Sequence, residues 1–200
     1  MRKVFLIFVL SAIIIAGCAV LNTFQNIARL KYRIQSTENY RVNGVQVDNK
    51  RSIKDFSPVE MLKLTSGILR GSLPATFTIN IEAVNPNDGK GGNPRTDLSI
   101  VKFPWRLFLN DKEIVDGNIS SPVYVPGKGE SVIIPIQAQT DIIKLVKEKS
   151  IEDIIALLQK LGGIHGTTSN IKLLVKPSLG TPIGNIEYPD EITIADKSFN

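Results

Sequence analysis

The chain has 200 residues, of which 42% are hydrophobic and 22% charged, and its formal net charge is +5. This composition is typical of a globular protein and excludes a disordered chain. The excess of positive charge is too small to indicate nucleic-acid binding. Cys18 is the single cysteine, which excludes an intramolecular disulfide and a cysteine zinc cluster. We therefore expect stability to come from packing.

The N-terminus has the features of an export signal followed by a cysteine. A positive start leads into an apolar run over Val4–Ile15 and then into two small residues directly before Cys18. This pattern is typical of bacterial lipoproteins, in which the thiol is acylated and the chain is cut before the cysteine. Two or three acyl chains anchor a protein stably, whereas one does not. The sequence predicts a signal peptide over 1–17 and lipidation at Cys18.

Two alternatives stay open for this segment. Val4–Val20 could be a short signal-anchor helix, although it is below the ~20 residues of a typical span, and Cys18 could be an incidental core cysteine. In a lipoprotein, Ala19 rather than aspartate after the lipidated residue favours the outer membrane and a position facing the periplasm. Residues 18–26 would then form a short tether that reaches about 29 Å. We expect the domain to lie close to the bilayer.

Residues 27–200 are predicted to form one domain. Alternating apolar and charged residues predict a first strand over Ala28–Ile34, and a further strand is expected over Tyr40–Val47. The first strand projects three basic residues from one face, and these could bind acidic lipid head groups, with a solvated strand face as the alternative. They are Arg29, Lys31 and Arg33.

A helix is predicted to begin after Ser57. Ser57, Pro58 and Glu60 have the form of an N-cap, a first helical residue and a capping-box partner. The helix should end at Gly67 or Gly71. Its predicted apolar face consists of Met61, Leu62, Leu64, Ile68 and Leu69.

The clearest strand lies within Ser72–Val84, where apolar and polar residues alternate strictly. It runs into Asn85-Pro86-Asn87, where the proline withholds a ladder donor and the asparagines favour a turn. Inward-facing positions are predicted in three strands. These positions are Phe77, Ile79, Ile81 and Ala83; Val101, Phe103, Trp105, Leu107 and Leu109; and Val132, Ile134, Ile136 and Ala138.

The last third of the chain is predicted to contain helical segments followed by strands. Asp141 can cap one helical segment, and Ser150 with Asp153 offers a cap that divides it from Ile151–Leu161. Closing strands are expected over 171–176, 183–187 and 191–194. Many short strands with two appended helical segments predict an all-β-dominated β-sandwich.

The strand that ends in Asn85-Pro86-Asn87 resembles the hallmark of the late-embryogenesis-abundant type 2 family, also called the water stress and hypersensitive response domain. The elements that follow are similar as well: a strand with an aromatic centre, the stretch Leu109–Gly117, a Pro-Gly turn, an apolar strand, a helix and a closing strand pair. The resemblance covers about 73–194. Two features depart from it, because the predicted helix from Ser57 precedes this core and the loop Asp88–Pro94 is long and rich in glycine.

The resemblance implies an immunoglobulin-like or fibronectin-III-like sandwich. The family includes bacterial lipoproteins that carry this domain behind a lipidated cysteine, and its members are linked with desiccation and stress tolerance. No enzymatic activity defines the family. The resemblance therefore implies a fold and a role, with Asn85, Pro86 and Asn87 as structural motif residues, and it implies no catalytic residues.

The reactive residue types do not form a recognisable catalytic pattern. His165 is the sole histidine, so no second histidine or nearby cysteine orients it as a base, and a loop residue is expected there. Asp88–Pro94 lacks the spacing of a phosphate-binding loop, and the pairs Glu152-Asp153 and Asp190-Glu191 lack calcium-loop spacing. Trp105 is expected to lie in the core. We expect no enzyme activity, cofactor or metal.

These observations predict a lipid-anchored, non-enzymatic envelope protein with a structural, binding or stress-protective role. Its expected partners are the membrane, reached through the lipid anchor, and an envelope protein that docks on a sheet edge or loop. A carrier or sensor of a lipid or other apolar ligand is the alternative, and an apolar cavity between sheet and helix would favour it. A hydrolase would need a convergent acid–base set that the sequence does not show.

Overall fold

The computed structural model describes residues 29–90, 94–109, 111–146, 152–154, 156–157, 171–181 and 184–194. The predicted signal peptide, Cys18 and His165 lie outside these residues. The described part contains an α-helix, α1 (Pro58–Arg70), 3-10 turns at Ile53–Asp55 and Ile142–Lys144, and a helical stretch at 152–154 and 156–157. Its strands are β1 (Lys31–Val42), β2 (Val45–Gln46), β3 (Pro74–Val84), β4 (Leu98–Lys102), β5 (Trp105–Leu109), β6 (Lys112–Gly117), β7 (Val123–Val125), β8 (Ser131–Asp141), β9 (Ile171–Val175), β10 (Ser178–Thr181), β11 (Gly184–Glu187) and β12 (Ile192–Ile194).

The first layer is an antiparallel sheet with the strand order β2-β1-β3-β8. β3 pairs with β8 along its whole length, from Pro74 opposite Asp141 to Val84 opposite Ser131. The strict alternation in β3 puts every second side chain on the inner face. The predicted inward positions of β3 and the central ones of β8 are confirmed as buried: Phe77, Ile79, Ile81, Ala83, Ile134, Ile136 and Ala138.

The second layer consists of two half-sheets with the orders β11-β10-β4-β7 and β12-β9-β5-β6. Each strand of one half-sheet is next in the chain to one strand of the other half-sheet: β4 to β5, β7 to β6, β10 to β9 and β11 to β12. Every junction contains a proline, which cannot donate to a strand ladder. These prolines are Pro104, Pro122, Pro177 and Pro189. The layer is therefore one four-stranded sheet that is interrupted along a line of prolines.

The two layers form a sandwich of the immunoglobulin-like or fibronectin-III-like class. If each interrupted strand is counted once, the first layer holds the first, second and fifth long strands, and the second layer holds the third, fourth, sixth and seventh. Tyr32 of β1 contacts Phe103 at the proline junction, with ring centroids 5.7 Å apart. The buried residues of both layers form one core. The predicted class, an all-β sandwich with appended helical segments, is confirmed.

The first strand is longer than the sequence pattern indicated. The two strands predicted over 28–34 and 40–47 are one continuous strand, β1, followed by a tight turn and β2. The stretch between the two predicted strands, Gln35–Asn39, is polar. β2 pairs only with Arg41 and Val42, so most of β1 lies at the edge of the described sheet, where polar residues are tolerated. Irregularities at Ile34/Ser36 and Glu38/Arg41 fit the polar stretch to β3.

The inward face predicted over 101–109 is correct for four residues and wrong for Val101. Phe103, Trp105, Leu107 and Leu109 are buried, but in β4 the buried residues are Leu98 and Ile100. The alternation changes phase because Pro104 interrupts the ladder, so the residues before it follow a different register. Val101 instead lies over Gly180, where an added Cβ would be 3.1 Å from a Val101 methyl group.

The boundaries predicted for the helix are confirmed in α1. The Ser57 hydroxyl accepts a bond from the Glu60 amide, the Glu60 carboxylate accepts one from the Ser57 amide, and Gly71 ends the helix with φ of 72°. The predicted apolar face is wrong in part. Leu64 is buried and Met61 and Ile68 pack against the core, but Leu62 and Leu69 are 70% and 83% exposed.

Candidate functional site

Asn85-Pro86-Asn87 forms a buried corner at the end of β3. Asn85 and Asn87 have no exposed surface. The Asn85 side-chain amide donates to the Thr96 carbonyl at 2.8 Å and to the Val125 carbonyl at 3.1 Å. Its side-chain oxygen accepts from the Asn87 backbone amide at 3.1 Å and from the Asn87 side-chain amide at 2.8 Å. Asn85 therefore joins the end of β3 to the segments that lead into β4 and out of β7.

Backbone bonds complete this corner. The Thr96 amide donates to the Asn87 carbonyl at 3.1 Å, and the Gly129 amide donates to the Asn85 carbonyl at 3.2 Å. Gly127 is packed so tightly that an added Cβ would lie 2.5 Å from the Asn87 carbonyl oxygen and 2.6 Å from that of Thr96. We name this set of residues, Asn85, Asn87, Thr96, Gly127 and Gly129, the Asn-Pro-Asn corner.

A carboxylate fixes the outer side of the corner. The Gly127 amide donates to Asp97 at 2.8 Å. This bond, together with one from Tyr124, lowers the pKa of Asp97 below its ordinary value. Asp97 is consequently an anion that holds the turn. At the corner the side-chain amide and oxygen of Asn85 both bond to protein groups, and Asp97 is a hydrogen-bonded carboxylate. This suits a structural joint, because amide side chains do not titrate near neutral pH.

The three basic residues at the start of the chain's first strand differ in their environments. Leu30 and Tyr32 between them are buried, as the alternation requires. Lys31 is exposed, whereas Arg29 and Arg33 are half-buried. Arg33 forms an ion pair with Glu82 on β3 at 2.5 Å.

Glu82 occupies a polar position of the alternation in β3, but it is only 7% exposed. Arg33 lies directly opposite it in the β1–β3 register. The bond from Arg33 lowers the pKa of Glu82, so the pair is charged at neutral pH. The alternation of β3 could not reveal this burial, because the partner lies 49 residues away along the chain.

Of the two predicted carboxylate pairs, one contributes to an ion cluster. Glu191 binds Arg106 of β5 through both carboxylate oxygens, at 3.0 and 2.5 Å, and Arg106 also contacts Glu113 of β6 at 3.1 Å. These contacts link β5 to β6 and to the residue that precedes β12. Asp153, in the helical stretch, is half-buried and Glu152 is exposed. Within the described residues no group of three histidine, cysteine, aspartate or glutamate side chains is placed to hold a metal ion.

Two tyrosines interact between the layers: Tyr32 lies on the buried face that the alternation predicts, and Tyr188 is half-buried. Tyr32 of β1 is 1% exposed. Burial raises its pKa well above the ordinary value of 10.0, and the neighbouring Tyr188 adds to that rise. Burial likewise raises the pKa of Tyr188 to about 12. Both phenols are therefore neutral across the physiological range, and Tyr188 stands beside the Pro189 junction of the second layer.

Trp105 and the loop after Asn87 both have structural surroundings. Trp105 is 2% exposed, and a Cβ added at Gly117 would lie 2.5 Å from its indole ring. Its predicted place in the core is confirmed. In the loop, the Lys90 amide donates to the Asp88 carboxylate at 3.0 Å, which closes a local turn. Residues 91–93 of the same loop lie outside the described part.

The chain has a weak similarity to a solved structure. No family model matches the chain, and no curated protein matches it. A solved structure, described as the crystal structure of a protein from Archaeoglobus fulgidus, is 11% identical and covers 79% of this chain and 97% of its own, with a TM-score of 0.33. A similarity of this strength carries no argument about function. In the described part of the chain, no helix has the length and apolar character needed to cross a bilayer.

Proposed function

We propose that this protein is a bacterial lipoprotein of the late-embryogenesis-abundant type 2 family. Cys18 anchors it by covalent lipid to the outer membrane, and the sandwich faces the periplasm. Its role is non-enzymatic: structural, binding or protective under stress. The observation that carries the proposal is the position of the single cysteine, directly after a positive start, an apolar run and two small residues.

The Asn-Pro-Asn corner supports the family assignment. The family resemblance gives this tripeptide a structural role after a strand, and here it follows β3. Asn85 and Asn87 bond to each other and to Thr96 and Val125. These bonds connect three separate segments of the chain, which supports a structural role for the motif.

The electrostatics of the described carboxylates support a non-enzymatic role. A general base that works near neutral pH usually needs a carboxyl pKa raised by burial or by a neighbouring negative charge. Here a backbone bond from Ser57 lowers the pKa of Glu60, the bond from Arg33 lowers that of Glu82, and the bond from Gly127 lowers that of Asp97. These carboxylates serve caps, ion pairs and turns.

Lipidation can be tested on the protein isolated from its own cells. Mass spectrometry of the N-terminal peptide should show a chain that begins at Cys18 and carries fatty acids. The Cys18→Ala variant should keep residues 1–17 and incorporate no labelled fatty acid. Ser11→Ala, which changes the apolar run and leaves the cysteine, is the matched control and should be labelled like the wild type. Equal labelling of the wild type and Cys18→Ala would refute the proposed anchor.

The location and the role require separate measurements. Ala19→Asp should move the protein from the outer to the inner membrane fraction, because the residue after the lipidated cysteine directs sorting. For the role, a strain that lacks the protein should survive drying less well, and the wild-type gene should restore survival. Full survival of the deletion strain under drying and osmotic stress would argue against a protective role and leave the anchor unaffected.

A further inference from the structure

The outward side of α1 carries three exposed apolar side chains. Val59, Leu62 and Leu69 are 64%, 70% and 83% exposed. At 3.6 residues per turn these three side chains fall within about 80° of one another around the helix axis. We name these three residues the outer stripe. Exposed apolar residues scattered singly are normal, but three aligned on one helix face mark a contact surface.

The helix cannot rotate to bury this stripe. Gly67 sits so close to the sheet that an added Cβ would lie 2.5 Å from a Leu73 methyl group and 3.1 Å from the Asn43 side-chain amide. That amide donates to the Lys63 carbonyl at 2.7 Å. On the same inner side Leu64 is 2% exposed. The close approach at Gly67 therefore fixes the inner face of α1 and leaves the outer stripe in solvent.

Positive charge is concentrated in the segment that carries the outer stripe. Residues 50–71 contain five basic residues and two acidic ones, a net charge of +3. The basic ones are Lys50, Arg51, Lys54, Lys63 and Arg70. The two acidic residues, Asp55 and Glu60, are both held in capping boxes, and Glu60 also pairs with Lys50 at 3.0 Å. Lys54, Lys63 and Arg70 are exposed.

This segment accounts for the net charge of the mature chain. Residues 18–200 carry 22 basic and 19 acidic residues. Without the five basic and two acidic residues of 50–71, 17 basic and 17 acidic residues remain. The rest of the mature chain is therefore neutral overall, and its excess positive charge is concentrated beside an apolar helix face. Lysine and arginine beside an apolar stripe are typical of helices that lie in the interface of an anionic bilayer.

We propose that the outer stripe of α1 is a second membrane-binding surface, which inserts Val59, Leu62 and Leu69 at the acyl boundary of an anionic bilayer. Lys54, Lys63 and Arg70 bind the acidic head groups around it. The proposal rests on the proposed function, because the lipid anchor supplies the nearby membrane. A second copy of the chain is less suited to the stripe, since three side chains offer far less than the ~800 Å² per partner of a stable interface.

The tether permits this contact. α1 lies between β2 and β3, next to the end of β1 at Val42, whereas the tether joins β1 at Lys31. Twelve residues of strand span about 40 Å, so the sandwich must lie with β1 along the bilayer for both ends to reach it. The predicted tether over 18–26 reaches about 29 Å, which is enough to allow that orientation. The anchor and α1 would then hold opposite ends of the domain.

The test uses the full lipidated chain in vesicles. Thr65 is exposed on α1, between Leu62 and Leu69 on the helix surface, and Thr65→Cys supplies a thiol for a fluorophore while Cys18 is blocked by lipid. Spin-labelled lipids then quench a fluorophore that lies in the bilayer interface. The reference position is Ser120→Cys, which is exposed between β6 and β7. Vesicles contain phosphatidylcholine alone or mixed with phosphatidylglycerol.

We expect quenching at position 65 in anionic vesicles and little at position 120. Leu62→Gln with Leu69→Gln should abolish it while the melting temperature stays unchanged. Lys63→Gln and Arg70→Gln should each lower the ratio of docked to undocked helix about fivefold, and added salt should act in the same direction. Lys112→Gln and Lys128→Gln, exposed lysines outside the segment, are the matched controls and should have no effect.

The contrary outcomes are distinct. Equal quenching at both positions, or quenching that survives loss of both leucines, would overturn the proposal. A different contrary result is that the fluorophore at position 65 is shielded from the lipid quencher to a degree that rises with protein density and persists in neutral vesicles. That result would assign the stripe to contact with a second copy of the chain, and it would also overturn the proposal. Mass spectrometry of Cys18 on the same samples separates the two hypotheses. An acylated chain without quenching refutes only the stripe, and a chain that is not acylated but is quenched at position 65 refutes only the anchor.

Discussion

The two ends of β3 differ in what they bury. After Val84 the chain enters the Asn-Pro-Asn corner, where polar Asn85 and Asn87 have no exposed surface. Before Pro74 it leaves α1, where apolar Leu62 and Leu69 are mostly exposed. At the corner, protein hydrogen bonds replace those to water, so burial of polar groups is tolerated. At α1, the close packing at Gly67 holds the opposite side of the helix against the core, so Leu62 and Leu69 have no protein surface to pack against.

This difference shows that a side chain is buried where the fold places suitable contact partners around it, whether the side chain is polar or apolar. Asn85 is inside because the carbonyls of Thr96 and Val125, 11 and 40 residues away, lie within 3.1 Å of its amide. Leu62 is outside because the sheet is contacted by the opposite side of its helix. Residue type alone would assign both positions wrongly. The predictions below test each end against a matched position.

The largest effect is expected at the buried side of α1. Leu64→Ala should lower the free energy of unfolding by ~2–5 kcal/mol, because it leaves a cavity where the helix meets the core. Leu62→Ala, two residues away on the opposite side of the helix and 70% exposed, is the matched control and should change it by less than ~0.5 kcal/mol. Urea denaturation of the two variants measures the difference. Equal losses would show that the outer stripe is covered in the free protein.

The free energy of unfolding should be nearly as sensitive to a change in the Asn-Pro-Asn corner. Asn85→Ala removes the side chain that bonds to Thr96, Val125 and Asn87, and it leaves buried backbone groups without partners. The expected loss of stability is ~2–3 kcal/mol. Asn80→Ala provides the control, because Asn80 bonds to Ser36 and Glu38 at an exposed site, where the loss should be below ~1 kcal/mol. Full stability of Asn85→Ala with loss of a binding activity would make the corner a recognition site.

A smaller effect is expected at the start of α1. Ser57→Ala removes the hydroxyl that accepts from the Glu60 amide at 3.3 Å, and loss of such an N-cap costs ~1 kcal/mol. Ser66→Ala lies on the same helix, and its hydroxyl bonds to the Lys63 carbonyl, so it should be nearly neutral. Thermal denaturation followed by circular dichroism distinguishes the two. If both variants melted with the wild type, the cap would not contribute to stability.

The smallest effect is expected in how the stability of the protein depends on pH. The bond from Arg33 lowers the folded pKa of Glu82 below its ordinary value of 4.5. Stability from this pair is therefore fully present above the ordinary value and is lost as the pH falls through the folded pKa. Because Arg33 is partly exposed, solvent screening limits the contribution to ~1 kcal/mol or less. Stability measured from pH 6 to pH 2 should fall less steeply in Glu82→Gln. An identical slope in both proteins would show that the pair does not contribute.

Elements with local signals were predictable. The alternation in β3 and β8 identified their buried faces, because the period of two is a property of the strand itself. The candidate site was predictable only as a position, since the sequence identified Asn85-Pro86-Asn87 as a turn and could not identify the partners in the later segments. Glu82 and the outer stripe were missed for the same reason.

The sequence by itself determined where α1 begins and ends, since Ser57, Glu60 and Gly71 act on backbone groups within four residues. Tertiary structure alone decided which face of that helix is buried. It also decided that Glu82 is inside and that Val101 is out of phase with β5. These outcomes depend on contacts with Leu73, Arg33 and Gly180, which packing brings together from distant parts of the chain. Local propensity acts before those contacts form, and it carries no information about which surfaces will meet.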